Sequence, residues 1–320
     1  FQKIITYFFN DTLQTSKELR QKTEAKLIKK GKDVPYPSLE TLRKEDREEK
    51  PYLLFTIYNE EGDEIRKMIQ NPTLGLQRIV WDFRMSPRSA IELKSSEPGR
   101  YGEANSGPLA LPGKYFVSMH KVVNSEASLL VDKTPFTCKW LENMTIPVED
   151  KGQTLAFQVK VEKLRRAVDG SSKVLSNLSE RVKYVKSALK MYPNLDISRI
   201  KEVNSLEQKA DEISISLYGD PSLSKRDIEQ NESIYGSVGL IIWNMWRSRS
   251  APTQTNKMLY DSAGDSYTSL VVELADLQKQ VEDLENYLDE NNVPYTPGRG
   301  IINNWKNESK LFVKVMPTEY

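Results

Sequence analysis

Apolar residues recur with two different periods along this chain, and the change comes near Asp150. Beyond that point they are spaced by three and four. The clearest run is Asn256 to Asn291, in which Ala263, Tyr267, Leu270, Leu274, Leu277, Val281, Leu284 and Leu288 fall on one stripe of an α-helix. Such a helix is roughly 50 Å long, and its single apolar seam must be covered by other helices. Upstream segments supply matching seams. Phe157, Val161, Leu164 and Val168 mark one; Leu175, Leu178, Val182, Val185 and Leu189 a second; Ile200, Val203, Leu206, Ala210, Ile213 and Leu217 a third. Gly170-Ser-Ser and Tyr192-Pro-Asn read as the breaks between them, and a shorter helix is expected over Ser237 to Arg247. Because these partners lie close in the same chain, a helical bundle is favoured over a free-standing coiled coil.

Before Asp150 the period is two. Residues 2 to 9 read as a strand, Tyr52 to Tyr58 as a fully apolar strand, and Asn59 to Gly62 as a hairpin turn into Glu64 to Ile69. In Gln77 to Arg84, Ile79, Trp81 and Phe83 alternate with polar residues, so one face is buried. Residues 85 to 113 read as a long loop. Strands follow at Lys114 to Val123 and Ala127 to Val131, around Asn124-Ser125, and a last one at Phe136 to Leu141. Short strands joined by turn residues predict an antiparallel sandwich. Between its first two strands, Ser16 to Lys32 and Ser38 to Lys50 predict two charged, mostly solvated helices separated by Pro35-Tyr36-Pro37.

Composition narrows the possible partners. A chain of 320 residues, 38% apolar, is long enough for two cores. With 46 basic against 45 acidic residues it has no global basic field, so neither nucleic acid nor an anionic membrane surface is expected as a partner. The apolar run Gly239 to Trp243 is far short of the roughly 20 residues that span a bilayer. Phe1 opens directly on strand-like sequence, which favours a piece of a longer chain over a processed leader. One cysteine, Cys138, and one histidine, His120, leave no disulfide framework and no usual zinc or Cys–His inventory. Cys138 reads as a small buried strand residue.

Four stretches in order carry a resemblance: PYLLFTIYNEEGDEIRKM, then GLQRIVWDFR, then GPLALPGKYFVSMHK, and late in the chain PYTPGR. Together they resemble the C-terminal region of the large bacterial VPS10/sortilin-like, BNR-repeat "glycosyl hydrolase" proteins. In that family a β-propeller precedes an immunoglobulin-like module and a helical region. The resemblance implies an exported protein of the periplasm or cell surface, with the propeller outside these residues. No Ser-x-Asp-x-Gly-x-x-Trp repeat occurs here. The helical insertion from Asn10 to Lys50 departs from the shorter connection expected in that module. Gly62 and Gly113 are expected to permit tight turns, with Trp81 and Tyr115 as core anchors.

Candidate chemistry is sparse. Glycoside hydrolysis needs two carboxylates held across the scissile bond; the carboxylate to inspect is Asp82 beside Trp81, but on a strand it points away from the Trp81 face and reads as solvated or bonded to Arg84. Trp243, Trp246, Tyr295 and Trp305 are the candidate carbohydrate or partner contacts, since aromatic faces suit apolar sugar faces; the spacing of Trp243 and Trp246 equally suits a core. No cofactor or metal motif is present, and Lys29-Lys30-Gly-Lys32 reads as a solvated helix end. Sequons stand at Asn10, Asn143, Asn177, Asn231 and Asn307. Asp11-Thr12-Leu13 and Asp261-Ser262-Ala263 resemble an O-glycosylation signal of exported proteins.

The expectation is therefore an α+β, multidomain chain: an antiparallel immunoglobulin-like β-sandwich over 1–145 with a helical insertion at 14–50, a helical bundle over 146–293, and an extended tail over 294–320 with a strand at Lys310 to Val315. Functionally it reads as a non-catalytic structural or interaction module whose partner is the upstream propeller of its own chain or another envelope protein. The competing reading is the accessory C-terminal portion of a glycoside hydrolase whose active site lies in that propeller.

Overall fold

The computed structural model describes residues 2–91, 107–139, 151–193, 195–247 and 250–301. Among the described residues it is an α+β fold of two small antiparallel sheets and seven helices. The described chain divides into two compact units, one running to Pro87 and again from 107, the other from Ala156 onward. Trp305 and the strand expected at Lys310 to Val315 lie outside the described residues, as does Leu141.

In the first unit, β1 (Lys3–Phe9) pairs with β4 (Gly75–Trp81), and a four-stranded sheet runs in the order β3 (Glu64–Gln70), β2 (Tyr52–Tyr58), β5 (Gly113–Val123), β6 (Glu126–Cys138). Alternation decides which side chains meet. Phe9 and Ile79 from one sheet cluster with Leu53, Phe55 and Met119 from the other. A second cluster joins Trp81 to Ile57, Ile65, Tyr115 and Cys138. The Trp81 ring meets Tyr115 edge-on at 5.5 Å, and its Nε1 donates to the Arg84 carbonyl at 2.9 Å, so both its apolar body and its polar handle are satisfied.

The turns follow local chemistry. Asn124 and Ser125, with φ of 52° and 63°, form the two-residue link between β5 and β6 that a right-twisted hairpin favours. Gly62 adopts φ 91° at the β2–β3 turn. Gly113, by contrast, makes no tight turn: it opens β5 and pairs with Cys138. Nor are there two strands after Asn124-Ser125. β6 is continuous through Pro135, which is tolerated because β6 lies at the sheet edge. The segment expected as loop is paired at both ends, through an Arg84–Leu109 bridge and a bond from the Met85 amide to the Pro108 carbonyl. Gly107 is required there, since a Cβ would fall 2.4 Å from the Met85 oxygen.

The second unit is built on α3 (Lys151–Met191), α4 (Ile200–Tyr218), α6 (Ile234–Arg247) and α7 (Gln254–Glu290), with the single turn α5 (Pro221–Ser224) between. Every seam residue from Ala263 to Leu288 is buried except Tyr267, which is half-buried and whose hydroxyl bonds to Ser171 at 2.9 Å. Residues of α3, α4 and α7 share one core; α6 packs its Val238, Ile241, Met245 and Trp246 against Val161 and Ala263 in another.

The break expected at Gly170-Ser-Ser does not occur. α3 runs straight through, with Val168 and Leu175 buried on either side. Glycine inside a helix costs only about 1 kcal/mol relative to alanine. The two serines that would otherwise compete for backbone bonds instead bond outward, Ser171 to Tyr267 and Ser172 to Tyr218. Arg181 of α3 and Glu285 of α7 form a bidentate pair at 2.8 and 2.6 Å. After α7, Pro294 to Arg299 folds back: the Arg299 guanidinium, buried, binds Asp289 and the carbonyls of Val293 and Pro294. Those carbonyls follow the end of α7, where a cation is favoured.

Candidate interaction surfaces

The inserted helices α1 (Ser16–Lys29) and α2 (Leu39–Arg47) are capped independently of any core. Thr15 and Glu18 form a reciprocal capping box at the start of α1, and Ser38 accepts from the Thr41 amide at the start of α2. Neither helix buries an apolar side chain; the only buried residue of the pair is Glu45. Its carboxylate receives Nε and Nη2 of Arg20, each at 2.7 Å, while Nη1 of Arg20 reaches Glu24 at 2.6 Å. Glu48 closes the base by accepting from the Ser16 amide at 2.7 Å. The bonds from Arg20 hold the Glu45 carboxyl below its ordinary range. Among the mostly charged outward residues stand four apolar ones, Leu19, Ile28, Tyr36 and Leu39, Tyr36 at 85% exposure, while Leu27 and Leu42 are half-buried.

The aromatic residues singled out in the sequence differ in burial. Trp246 is 2% exposed inside the α6 core, whereas Trp243, three residues earlier, is 46% exposed. Tyr295 is exposed beyond α7, and Trp305 lies outside the described residues. A joint Trp243–Trp246 platform is therefore replaced by one core tryptophan and one surface tryptophan. Asp82 accepts from the Arg84 amide at 3.0 Å, which shapes the turn in which Phe83 is held at φ 59°.

A groove of about 790 Å³ runs between α3 and α4, with Leu175 and Ala210 at its floor and Ser179, Ser214, Tyr184 and Tyr218 along its sides. Ser172 and the Tyr218 hydroxyl are hydrogen-bonded there, and Glu180, Lys183 and Asp211 also line the groove. Sequence reasoning missed this groove, although the i, i+4, i+7 run Ser172, Ser176, Ser179 was its signal. A smaller pocket, about 250 Å³, is lined by Glu60, Glu61, Leu111, Pro112 and Tyr115.

Burial sets the shifts of Cys138, Tyr115 and Glu162. The Cys138 thiol is pushed up to about 11 and the Tyr115 phenol to about 12, so both stay protonated. Burial raises Glu162 of α3 to about 7, opposed by the charge of Arg88. Among the described residues no group of three His, Cys, Asp or Glu is placed to hold a metal ion, and no helix is long and apolar enough to cross a membrane. No family model, no curated protein and no solved structure matches the chain.

Proposed function

We propose that this chain is a structural and interaction module of an exported or cell-surface protein, that the two sheets sharing a core form an immunoglobulin-like sandwich, and that the helices from α3 to α7 form a bundle. The α1–α2 hairpin is its docking element, directed at the upstream propeller of the same polypeptide or at another envelope protein. The observation that carries this reading is the construction of the hairpin. It is ordered by two caps and a charge clasp, yet its apolar side chains Leu19, Ile28, Tyr36 and Leu39 face outward. Ordering about thirty residues while only half-burying Leu27 and Leu42 costs conformational entropy that little within the hairpin offsets through the hydrophobic effect. A partner that covers those side chains supplies the missing burial, and the mixed charge around them gives orientation and a salt-sensitive association rate.

Replacing residues 14 to 48 by a short Gly-Ser linker tests the assignment. The shortened protein is expected to keep its melting temperature and to lose a partner that the natural protein retains through purification. Retention of every partner by a stably folded shortened protein would end the docking role.

A further inference from the structure

The two-stranded sheet departs from the rule that one face is greasy and the other wet. Inward, β1 and β4 present Ile5, Phe9, Ile79 and Trp81 to the core. Outward, they present a second apolar set. The register places Ile4 opposite Val80 and Phe8 opposite Leu76, with Thr6 opposite Arg78 between the two pairs. Directly opposed residues on one face have Cβ atoms about 5 Å apart, so these pairs form one continuous stripe. Leu74 extends it. Phe8 is 69% exposed and Leu76 67%, with Ile4, Leu74 and Val80 exposed beside them. Side chains of this size leave on the order of 500 Å² of apolar surface open, the scale at which a patch on a soluble domain marks an interface.

We infer that this face packs against the same face of a second copy of the chain. The face suits itself. When two copies stack with the two-fold axis in the plane between them and parallel to the strands, β1 of one lies over β4 of the other. Phe8 then meets the other copy's Leu76, Ile4 meets Val80, and the small Thr6 meets the long Arg78, which donates to the threonine hydroxyl. Bulky residues are opposed to smaller ones and no arginine faces an arginine. A stable interface takes about 800 Å² from each partner; the stripe with Thr6 and Arg78 supplies most of that. A net charge of +1 imposes little repulsion between copies. The contact is isologous and therefore closed, which limits assembly to a dimer through this face. It is separate from the α1–α2 hairpin, and its failure would leave the docking role untouched.

Sedimentation equilibrium of the full chain at tens of micromolar is expected to give twice the 36.8 kDa chain mass. The double substitution Phe8→Thr, Leu76→Thr keeps strand propensity, and is expected to return the protein to a monomer with unchanged circular dichroism and melting temperature. A complementary measurement does not depend on that variant folding. One preparation carrying Phe8→Cys is mixed with another carrying Leu76→Cys and treated with a short bis-maleimide, which spans the roughly 10 Å between stacked sheets; a mixed cross-linked dimer is expected, the native Cys138 being buried. A wild-type chain that stays monomeric throughout, a dimer that survives the double substitution in a folded protein, or a mixture that fails to cross-link would each overturn the inference. Loss of a different co-purifying protein by the double variant, with the wild type monomeric, would assign the face to that protein instead.

Discussion

α7 and the α1–α2 hairpin are both helical, and they are held in place by opposite means. α7 buries seven apolar seam residues from Ala263 to Leu288 against α3, α4 and α6, while the hairpin buries a single glutamate. The same kind of contact plays different parts in the two. Arg181–Glu285 sits at the margin of an apolar core that would join α3 to α7 without it. Arg20–Glu45 is the principal tie between α1 and α2. A buried ion pair offsets a desolvation cost that apolar contacts do not incur, so it specifies geometry better than it stabilises. The α7 packing therefore reads as the fixed frame of the second unit, and the hairpin as a positioned but weakly anchored device.

The largest effect belongs to the frame. Leu277 is fully buried in the α3–α4–α7 core. Leu277→Ala is expected to destabilise the second unit by about 3 kcal/mol, from lost transfer energy and the cavity left behind. Urea unfolding followed by helical circular dichroism reads this. A loss within a few tenths of a kcal/mol would mean that the seam is not the source of stability.

The legibility of each element in the sequence follows from the same contrast. The α7 seam could be read directly, because a helix that buries one face repeats its apolar residues at steps of three and four, and the hairpin could be read as two solvated helices because it does not. The continuity of α3 could not. Gly170-Ser-Ser carries a break signal locally, and only the hydroxyls of Tyr267 and Tyr218, contributed by distant helices, make the serines compatible with a helix. Trp243 and Trp246 lie about 60° apart around α6, so the edge of the buried stripe falls between them, and spacing alone does not locate that edge. The Arg20–Glu45 clasp joins residues 25 apart among 45 acidic candidates, which leaves no periodic trace. The outward apolar stripe of β1 and β4 was present in the alternation of each strand but needed the register of Ile4 with Val80 and Phe8 with Leu76 to become one surface.

A smaller effect comes from the polar residue that the frame tolerates. Burial raises Glu162 from 4.5 to about 7. Its folded pKa lies above its unfolded one, so the folded state binds the proton more tightly. Stability from this group is present below pH 4.5 and falls as the pH rises to about 7, beyond which the penalty is constant. After allowance for residual solvent the loss is about 2 kcal/mol. Glu162→Gln is expected to flatten that part of the pH–stability curve and to raise stability at pH 8. An unchanged slope in the variant would assign the pH dependence to other groups. The hairpin responds in the opposite sense. Arg20 lowers Glu45, so its contribution is present above the ordinary carboxylate range and is lost as the pH falls through the depressed value.

The smallest expected change in global stability is that of Arg20→Ala, and it is also the most direct test of the contrast between frame and device. Hydrogen exchange of Ser16–Lys29 and Leu39–Arg47 should be fast in the wild-type protein through local opening, while amides around Leu274 to Leu288 exchange only with unfolding of the second unit. In Arg20→Ala the hairpin amides should exchange faster still, with α7 unchanged and the strands β1 to β6 nearly so. Hairpin amides protected as strongly as those of α7, or an Arg20→Ala protein in which protection falls across the whole first unit, would show that the hairpin is part of the frame and contradict this account.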